Sequence, residues 1–394
     1  MKVNIFVYLI AIMFFTVGCS SNRQPEGSLP YIDVRKNYPE KEIILTDIAD
    51  ITYVHMSVEN EDYLYKGTIS YISENKIVII DRSSGNILFF SKNGNPISRF
   101  NRLGTGPEEY PTKWVGGLLY NESEDDLFIT SSGKILVYSS IGEYKRTLIL
   151  PQGVSPDKII DFDDLSFLLY DAKNVYTKMK LQSDIDRSLI HFKDSSYFRI
   201  DKKDGKVLDY IAISNNQIDL SFTLRNGALR LIPTFNRLEG CAEGAILFNH
   251  ETDTVFFYGK DYSLSPIFCK TPLVRELDPV VILDNFIDIG MYQYMEITTL
   301  SEDNGTNKYI RDKKTGEIFK QKVIISDYKE KYISISAQHT LFNGKETLSH
   351  YELDLYELKE AYKENKLSGQ LKELVSTLNE DEDNNVFMIV HFKK

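Results

Sequence analysis

The sequence contains little tryptophan and little cysteine, and it has no concentrated run of basic residues. One Trp stands against 25 Tyr and 22 Phe, and only three Cys occur in 394 residues. The formal net charge is −11, which argues against a nucleic-acid partner, because such binding needs a basic surface that releases counterions. Acidity of this size keeps a protein soluble and favours a monomer.

Common catalytic and metal-binding motifs are also missing. The sequence has no Gly-x-Ser-x-Gly elbow, and its histidines show neither His-x-His nor His-Glu-x-x-His spacing. The acidic clusters lack the ligand spacing of an EF-hand loop. No catalytic residue, metal-ligand set or cofactor is therefore assigned, although groups from distant segments can still converge in space. The dispersed histidines are His55, His191, His250, His339, His350 and His391.

Two cysteines outside the N-terminal region, Cys241 and Cys269, leave two alternatives open. In an oxidising compartment they can form a disulfide, provided that their Cα atoms come within bridging range. Otherwise both are buried free thiols. Neither has a local sequence signature of a reactive cysteine.

The one long apolar run lies at the start of the chain. Met1–Gly18 has a lysine at position 2 and an apolar core, which is typical of a secretory signal and too short for a stable membrane span. Its junction with Cys19 resembles the lipobox of bacterial lipoproteins, with Thr16 where Leu is commonest. The resemblance implies cleavage before Cys19 and acylation of that residue; an ordinary signal with an incidental cysteine is the alternative. Residues 19–41 are then the lipid anchor and linker.

Acylation of Cys19 predicts an outer-membrane-anchored lipoprotein with a soluble body, because several acyl chains give stable anchoring. The residues after the cysteine include both Arg23 and Glu26. Since these charges are mixed in sign, periplasmic and cell-surface display both stay open.

The rest of the chain is dominated by β-hairpin patterns, one of which repeats. Ser83–Phe100 (SSGNILFFSKNGNPISRF) aligns without a gap on Ser131–Leu148 (SSGKILVYSSIGEYKRTL). Such turns contain Gly, Asn or Asp because a tight hairpin needs positive φ at its centre. Repeats of this length built from strands are typical of propellers, so we predict an all-β, six-bladed β-propeller over residues 42–394.

The six predicted blades follow one another along the chain. The first two are Lys76–Tyr110 and Asp125–Pro151. The third has strands at Ser166–Asp171, Ser188–Phe192 and Tyr197–Ile213. The last three are Gly227–Phe268, Tyr292–Ile325 and Tyr332–Phe392. In the fourth, LRLIPTF, GAILFN and TVFFYG are the predicted strands.

Both ends of the propeller region carry further predictions. Glu42–Met56 alternates apolar and polar residues, and we expect it to pair beside the C-terminal strand Val386–Phe392 and close the ring. Asp354–Leu378 shows helical spacing with Ser368 placed to cap a second helix. It predicts a short helical insertion, either packed on a blade edge or channel mouth or serving as a partner-binding helix.

The loop after the first blade resembles that of six-bladed β-propeller lipoproteins of Gram-negative bacteria, an NHL-like family. The family pattern is R-x-G-x-G-P-G-E-Y, and this chain has RLGTGPEEY at Arg102–Tyr110, with Glu108 in place of the third glycine. The helical stretch and final strand VFMIVHFKK match as well. The resemblance implies the fold from about Ile43 to Lys394 and implies no ligand, because propellers host many functions.

In that loop we single out Gly104, Gly106, Pro107, Glu109 and Tyr110. A glycine-rich loop can hold a phosphate through backbone N–H groups, but Pro107 lacks that donor and carboxylates follow. We therefore expect a structural loop between two blades, with Tyr110 packed between their sheets.

Together these features predict a lipid-anchored envelope propeller that binds a protein, peptide or glycan of the envelope. Its blade-connecting loops would form a concave face around a central channel. The alternative is a channel-centred hydrolase or lyase, metal-dependent or not, so enzyme activity stays open. Three or more His, Asp or Glu side chains facing one channel mouth would favour that alternative, and an exposed apolar patch would favour an assembly scaffold.

Overall fold

The computed structural model describes residues 29–112, 117–131, 133–151, 154–171, 196–213, 238–248, 252–301, 305–379 and 383–393, and the backbone of 222–225 and 228–231. In this part of the chain, successive sheets are arranged around a centre where inner strands of neighbouring sheets are in contact. The predicted all-β, six-bladed β-propeller is confirmed. Its predicted third-blade strand at residues 188–192 lies outside the described residues.

The first half of the chain contains three N-terminal strands and three complete blades. It begins with β1 (Tyr31–Asp33), β2 (Glu40–Ile44), helix α1 (Leu45–Ile48) and β3 (Ala49–His55). Blade 1 contains β4 (Gly67–Ile72), β5 (Lys76–Asp81), β6 (Ile87–Ser91) and β7 (Pro96–Phe100). Blade 2 contains β8 (Leu118–Asn121), β9 (Asp126–Ser131), β10 (Lys134–Tyr138) and β11 (Tyr144–Ile149). Blade 3 contains β12 (Lys158–Asp161), β13 (Ser166–Tyr170), β14 (Tyr197–Asp201) and β15 (Val207–Ile211).

The second half begins with a separate hairpin, β16 (Phe222–Arg225) and β17 (Ala228–Leu231). Blade 4 contains β18 (Leu238–Cys241), β19 (Gly244–Leu247), β20 (Thr254–Gly259) and β21 (Leu264–Thr271). Blade 5 contains β22 (Val280–Ile289), β23 (Tyr292–Leu300), β24 (Thr306–Asp312), β25 (Ile318–Ile324) and the short β26 (Tyr332–Ile333). Blade 6 contains β27 (Thr340–Phe342), β28 (Thr347–Leu353) and β29 (Val386–Phe392), with helices α2 (Leu355–Lys363) and α3 (Gly369–Thr377) between the last two strands.

The ring is closed by pairing of the two chain ends, as predicted. Strand β3 runs antiparallel to β29, with His55 opposite Val386 and Ala49 opposite Phe392. The predicted single strand over residues 42–56 is interrupted, however, because β2 and β3 belong to different blades. Buried Leu45 and Ile48 in α1 hold the connection between them.

Residues 31–41, placed in the linker by the sequence analysis, contain strands of the propeller. Strand β1 pairs in parallel with β21, with Tyr31 opposite Cys269. Strand β2 pairs in parallel with β25, with Glu40 opposite Lys320. These additions cover the outer edges of blades 4 and 5 and so remove exposed hydrogen-bonding groups. A three-residue strand such as β1 is too short to show a periodic pattern.

The prediction that LRLIPTF forms a strand of blade 4 is wrong. Its first residues lie in β17, which pairs with β16 in the separate hairpin. The inner strand of blade 4 is β18, with sequence LEGC. Since β18 has a single large apolar residue, Leu238, its burial could not be found from alternation. The other two predicted strands of this blade, GAILFN and TVFFYG, correspond to β19 and β20.

Aromatic residues fill the spaces between blades. Phe89 of blade 1 meets Tyr120 of blade 2 at 5.1 Å between ring centroids. Phe128 of blade 2 meets Phe167 of blade 3 at 4.8 Å. Edge-to-face pairs of this kind contribute about 0.5–1.5 kcal/mol beyond burial of their area. The abundant Phe and Tyr therefore serve largely as packing between sheets.

The helical insertion is confirmed. Helix α2 is capped by Asp354, whose carboxylate accepts a hydrogen bond from the Glu357 N–H at 2.9 Å. Ser368 occupies the N-cap position of α3, but its side chain makes no capping hydrogen bond. Leu371 and Val375 of α3 are fully buried in the apolar cluster shared with blades 5 and 6. Within the described ranges, no helix has the length and hydrophobicity of a membrane span.

Candidate functional site

A cavity of about 190 Å³ lies at the centre of the ring, where the inner strands of the blades converge. Strands β4, β8, β12, β18 and β27 all contribute lining residues. In the direction of blade 5, the wall is formed by the 3-10 turn Ala337–His339, which packs against β22. The cavity is thus assembled from five blades that are far apart in the sequence.

An acid–base pair of a half-buried lysine and a buried glutamate forms part of the cavity wall. Lys158 begins β12 of blade 3, and Glu239 lies in β18 of blade 4. The Lys158 Nζ donates a hydrogen bond to Glu239 Oε1 over 2.6 Å, and the two side chains are 23% and 7% exposed. Burial raises the pKa of the Glu239 carboxyl, while the nearby ammonium group acts in the opposite direction. The short contact is that of a charge-assisted hydrogen bond.

His350 of β28 reaches the same cavity from blade 6. Its side chain is buried, and burial lowers the pKa of its imidazole to about 3, with neighbouring His339 adding to the effect. The two imidazole rings are 6.4 Å apart. At neutral pH His350 is therefore uncharged, and its ring offers one donor and one acceptor.

Acidification is expected to weaken the fold through His350. The unfolded state takes up a proton near the usual histidine pKa of 6.5, whereas the folded state does so only near pH 3. The free energy of unfolding should therefore fall by up to about 1.4 kcal/mol per pH unit between those values. Urea denaturation of the wild type and of His350→Gln at pH 7 to 4 measures this. An equally steep acid dependence in the variant would contradict the assignment.

The rest of the cavity wall combines apolar side chains with neutral polar groups and the half-buried Asp157. Half-buried Phe342 packs across the ring against Gly240, where an added Cβ would lie 3.1 Å from the phenyl ring. Tyr71 and Leu118 line other parts of the wall, and exposed Gln338 lies at the rim. Convergent polar groups beside apolar side chains on a concave surface are features of a ligand site.

The loop singled out from the sequence lies between blades 1 and 2 and lines no part of this cavity. The Tyr110 hydroxyl donates to the Gly85 carbonyl over 2.8 Å and accepts from the Arg102 N–H over 2.9 Å. Glu109 Oε2 accepts from the Gly106 N–H over 2.8 Å. An added Cβ at Gly104 would lie 1.9 Å from that carboxylate oxygen, so the close approach of Glu109 requires a glycine there.

The exposed side of this loop is held by blade 2. The Tyr138 hydroxyl donates to the Glu108 carbonyl over 2.6 Å, and Lys134 Nζ donates to the Pro107 carbonyl over 2.7 Å. The loop carbonyls at Pro107 and Glu108 are thus bonded within the protein.

Cys241 and Cys269 are both free thiols. They lie in β18 and β21, which are separated by two strands of blade 4. Burial raises the pKa of both thiols, which lowers their reactivity. Cys19 lies outside the described residues.

Among the residues that the structure describes, no three His, Cys, Asp or Glu side chains form a set that could hold a metal ion. Asp157, Glu239 and His350 nevertheless line one cavity. No pattern in the sequence signals this arrangement. Lys158 and Glu239 are 81 positions apart, and each lies in a four-residue strand without a motif.

Comparison with solved structures finds the fold in a protein of Bacteroides fragilis described as exported. The two chains are 13% identical with a TM-score of 0.60, over 93% of this chain and 100% of the other. A DUF4221 family member from Bacteroides vulgatus has a TM-score of 0.44 at 10% identity, over 88% and 97%. BamB from Moraxella catarrhalis has a TM-score of 0.43 at 10% identity, over 86% and 100%. Such likeness concerns the fold alone.

No curated protein sequence matches the chain. The family model for DUF5128, described as a 6-bladed beta-propeller, matches residues 20–218. This match covers half of the chain and includes the N-terminal strands and the first three blades. The protein therefore belongs to the DUF5128 family of six-bladed β-propellers.

Proposed function

We propose that this protein is a lipid-anchored binding scaffold of the cell envelope, with its ligand site in the central cavity. The Lys158–Glu239 pair in the cavity wall, with its buried carboxylate, carries the proposal. Desolvating two charges is costly even when they are paired. A pair that faces a cavity instead of packed side chains supplies polar contacts to whatever fills that cavity.

The chemistry of the wall suits binding better than proton transfer. With a pKa of about 3, His350 is a poor general base at neutral pH and is never protonated there. Glu239 is held by Lys158 over 2.6 Å. These groups are placed to donate and accept hydrogen bonds to a ligand.

One observation favours the alternative, a hydrolase or lyase acting in the cavity. Asp157, Glu239 and His350 line the cavity together, and three His, Asp or Glu side chains at one channel mouth favour an enzyme. Metal analysis of the purified protein separates the two functions. If one metal per chain is tightly held and is lost in the Glu239→Gln variant, the result would favour the enzyme over the binding scaffold.

Thermal denaturation tests the binding scaffold directly. A ligand that binds only the folded state raises the melting temperature. We expect fractions of an envelope extract to raise it for the wild type and not for the double variant Lys158→Met/Glu239→Gln. An equal shift in both proteins would mean that the cavity is not the site.

Placement in the envelope is supported by the lipobox-like junction at Cys19 and by the exported description of a protein with this fold. The described chain enters the propeller as β1, the outermost strand on blade 4. At about 4.8 Å per strand, β1 lies about 19 Å from the inner strand β18. A tether that leaves from this rim does not obstruct the cavity.

Cys19→Ala is expected to release the protein from membranes, because the acylated thiol is lost. Fractionation of cells into membrane and soluble parts measures this. Cys241→Ala serves as the matched control and should stay with membranes, since Cys241 lies within blade 4. Membrane retention of Cys19→Ala would contradict lipid anchoring.

A further inference from the structure

The cavity has features that define the charge of its ligand. Lys158 and Glu239 neutralise each other over 2.6 Å, and Glu239 is 7% exposed. A ligand with a net charge would have to separate this pair or leave one buried charge without a partner, and both are unfavourable. His350 is neutral as well, and Asp157, the remaining carboxylate of the lining, already has an interaction within the protein. The site is therefore suited to an uncharged molecule.

The same groups define the hydrogen bonds that the ligand should make. The Lys158 ammonium has three N–H donors, and the Glu239 carboxylate has two oxygens that each accept more than one bond. Their mutual contact leaves donors and acceptors side by side. Two adjacent hydroxyl groups match this arrangement, because each hydroxyl both donates and accepts. The His350 ring and the Gln338 amide, also in the lining, likewise offer donors and acceptors.

The size of the cavity and the apolar side chains in part of its wall restrict the ligand further. The cavity volume of about 190 Å³ suits a small ligand such as one six-membered ring with its hydroxyl groups. It is smaller than the sites of about 300–1,000 Å³ that hold drug-sized molecules. Phe342 and Leu118 provide apolar surface for the C–H faces of such a ring.

We infer that the cavity binds a neutral polyhydroxyl ligand of the size of one sugar ring, such as the terminal sugar of an envelope glycan. The inference rests on the proposed binding function and names its ligand class. Hydroxyl groups bridge Lys158 and Glu239, and the ring lies against Phe342.

Saturation-transfer NMR on the full chain tests the ligand class. The probes are methyl α-D-glucopyranoside, methyl β-D-galactopyranoside and N-acetylglucosamine, with glucuronate as a charged ring of matched size and alanine as a small zwitterion. We expect saturable binding of at least one neutral sugar and at least tenfold weaker binding of glucuronate and alanine.

Variants locate the bound sugar. Lys158→Met/Glu239→Gln removes both charges together, so no buried charge is left alone, and should weaken binding at least tenfold. The control Lys331→Met/Glu357→Gln removes an exposed pair of the same type, 2.9 Å apart beside α2, and should change nothing. If the first double variant does not fold, the variant Gln338→Ala, at an exposed position, is used in its place. We expect a severalfold loss of affinity for the sugar. Unchanged affinity would overturn the inference.

The remaining outcomes separate the ligand class from the proposed function. Tighter binding of glucuronate or alanine that depends on Lys158 and Glu239 overturns the neutral sugar and supports the cavity as a binding site. Sugar binding that is unchanged in the first double variant places the sugar outside the cavity and overturns the inference, while the melting-temperature experiment still decides the binding function. If no probe binds, the sugar inference fails, and the melting-temperature experiment with envelope fractions decides the binding function separately.

Discussion

Replacing Gly94 by Val or Ala should lower the free energy of unfolding by about 3 kcal/mol or more. Gly94 lies in the β6–β7 turn of blade 1 with a φ of +85°, and an added Cβ would lie 1.9 Å from the carbonyl oxygen of His55 in β3. A side chain at positive φ costs about 1–2 kcal/mol, and forcing neighbouring backbone apart adds about 1–3 kcal/mol. The Gly94 carbonyl also accepts the Ser57 N–H over 2.9 Å. The turn therefore joins blade 1 to the strand that closes the ring.

Gly316→Ala is the matched control for the contact between blades. Gly316 lies in the corresponding connection of blade 5, between β24 and β25, with a φ of +75°, and its added Cβ would meet only the Arg311 guanidinium, at an ordinary 3.6 Å. We expect a loss of about 1–2 kcal/mol from backbone strain alone. Gly142→Val should fall between the two, because the obstacle at 2.4 Å is the Phe100 side chain and not backbone. Urea denaturation measures all three, and equal losses at Gly94 and Gly316 would show that the contact is unimportant.

Lys270→Met is expected to destabilise the protein by about 3–5 kcal/mol. Lys270 Nζ lies 2.8 Å from Asp253 Oδ1, and the two side chains are 1% and 4% exposed. The ammonium also donates to the Pro272 carbonyl over 2.6 Å, and the carboxylate accepts the Val274 N–H over 3.0 Å. This pair fastens the connection from blade 4 to blade 5. Methionine would leave the Asp253 charge buried without its cation.

Two further variants show whether the loss in Lys270→Met comes from an unpaired buried charge. Lys331→Met removes a lysine from an exposed pair with Glu357 and should cost no more than about 1 kcal/mol. Lys270→Met/Asp253→Asn should recover part of the loss, because no unpaired charge remains. Chemical denaturation gives each value. A loss below about 1 kcal/mol for Lys270→Met would mean that the pair contributes no more than a surface pair does.

Much of the fold could be predicted because its hairpins are local. The repeat that aligned Gly94 with Gly142 placed both glycines in turns of positive φ, and the alternating segment near the N-terminus does pair with the last strand. The turn residues and the alternation act over a few positions, so they are readable in one chain. The inner strand β18 and the added strands β1 and β2 were missed or misplaced. They are short, and their burial comes from neighbouring blades.

The sequence by itself determined the hairpins, their order, the helical insertion and the closing strand, since local hydrogen bonding and side-chain periodicity specify these. Only the tertiary structure decided which side chains share the channel. Lys158, Glu239 and His350 come from three blades, and they line one cavity only because the ring brings these blades together around its centre. Tertiary packing also lowers the pKa of His350, because burial by several blades excludes the water that would stabilise its charged form.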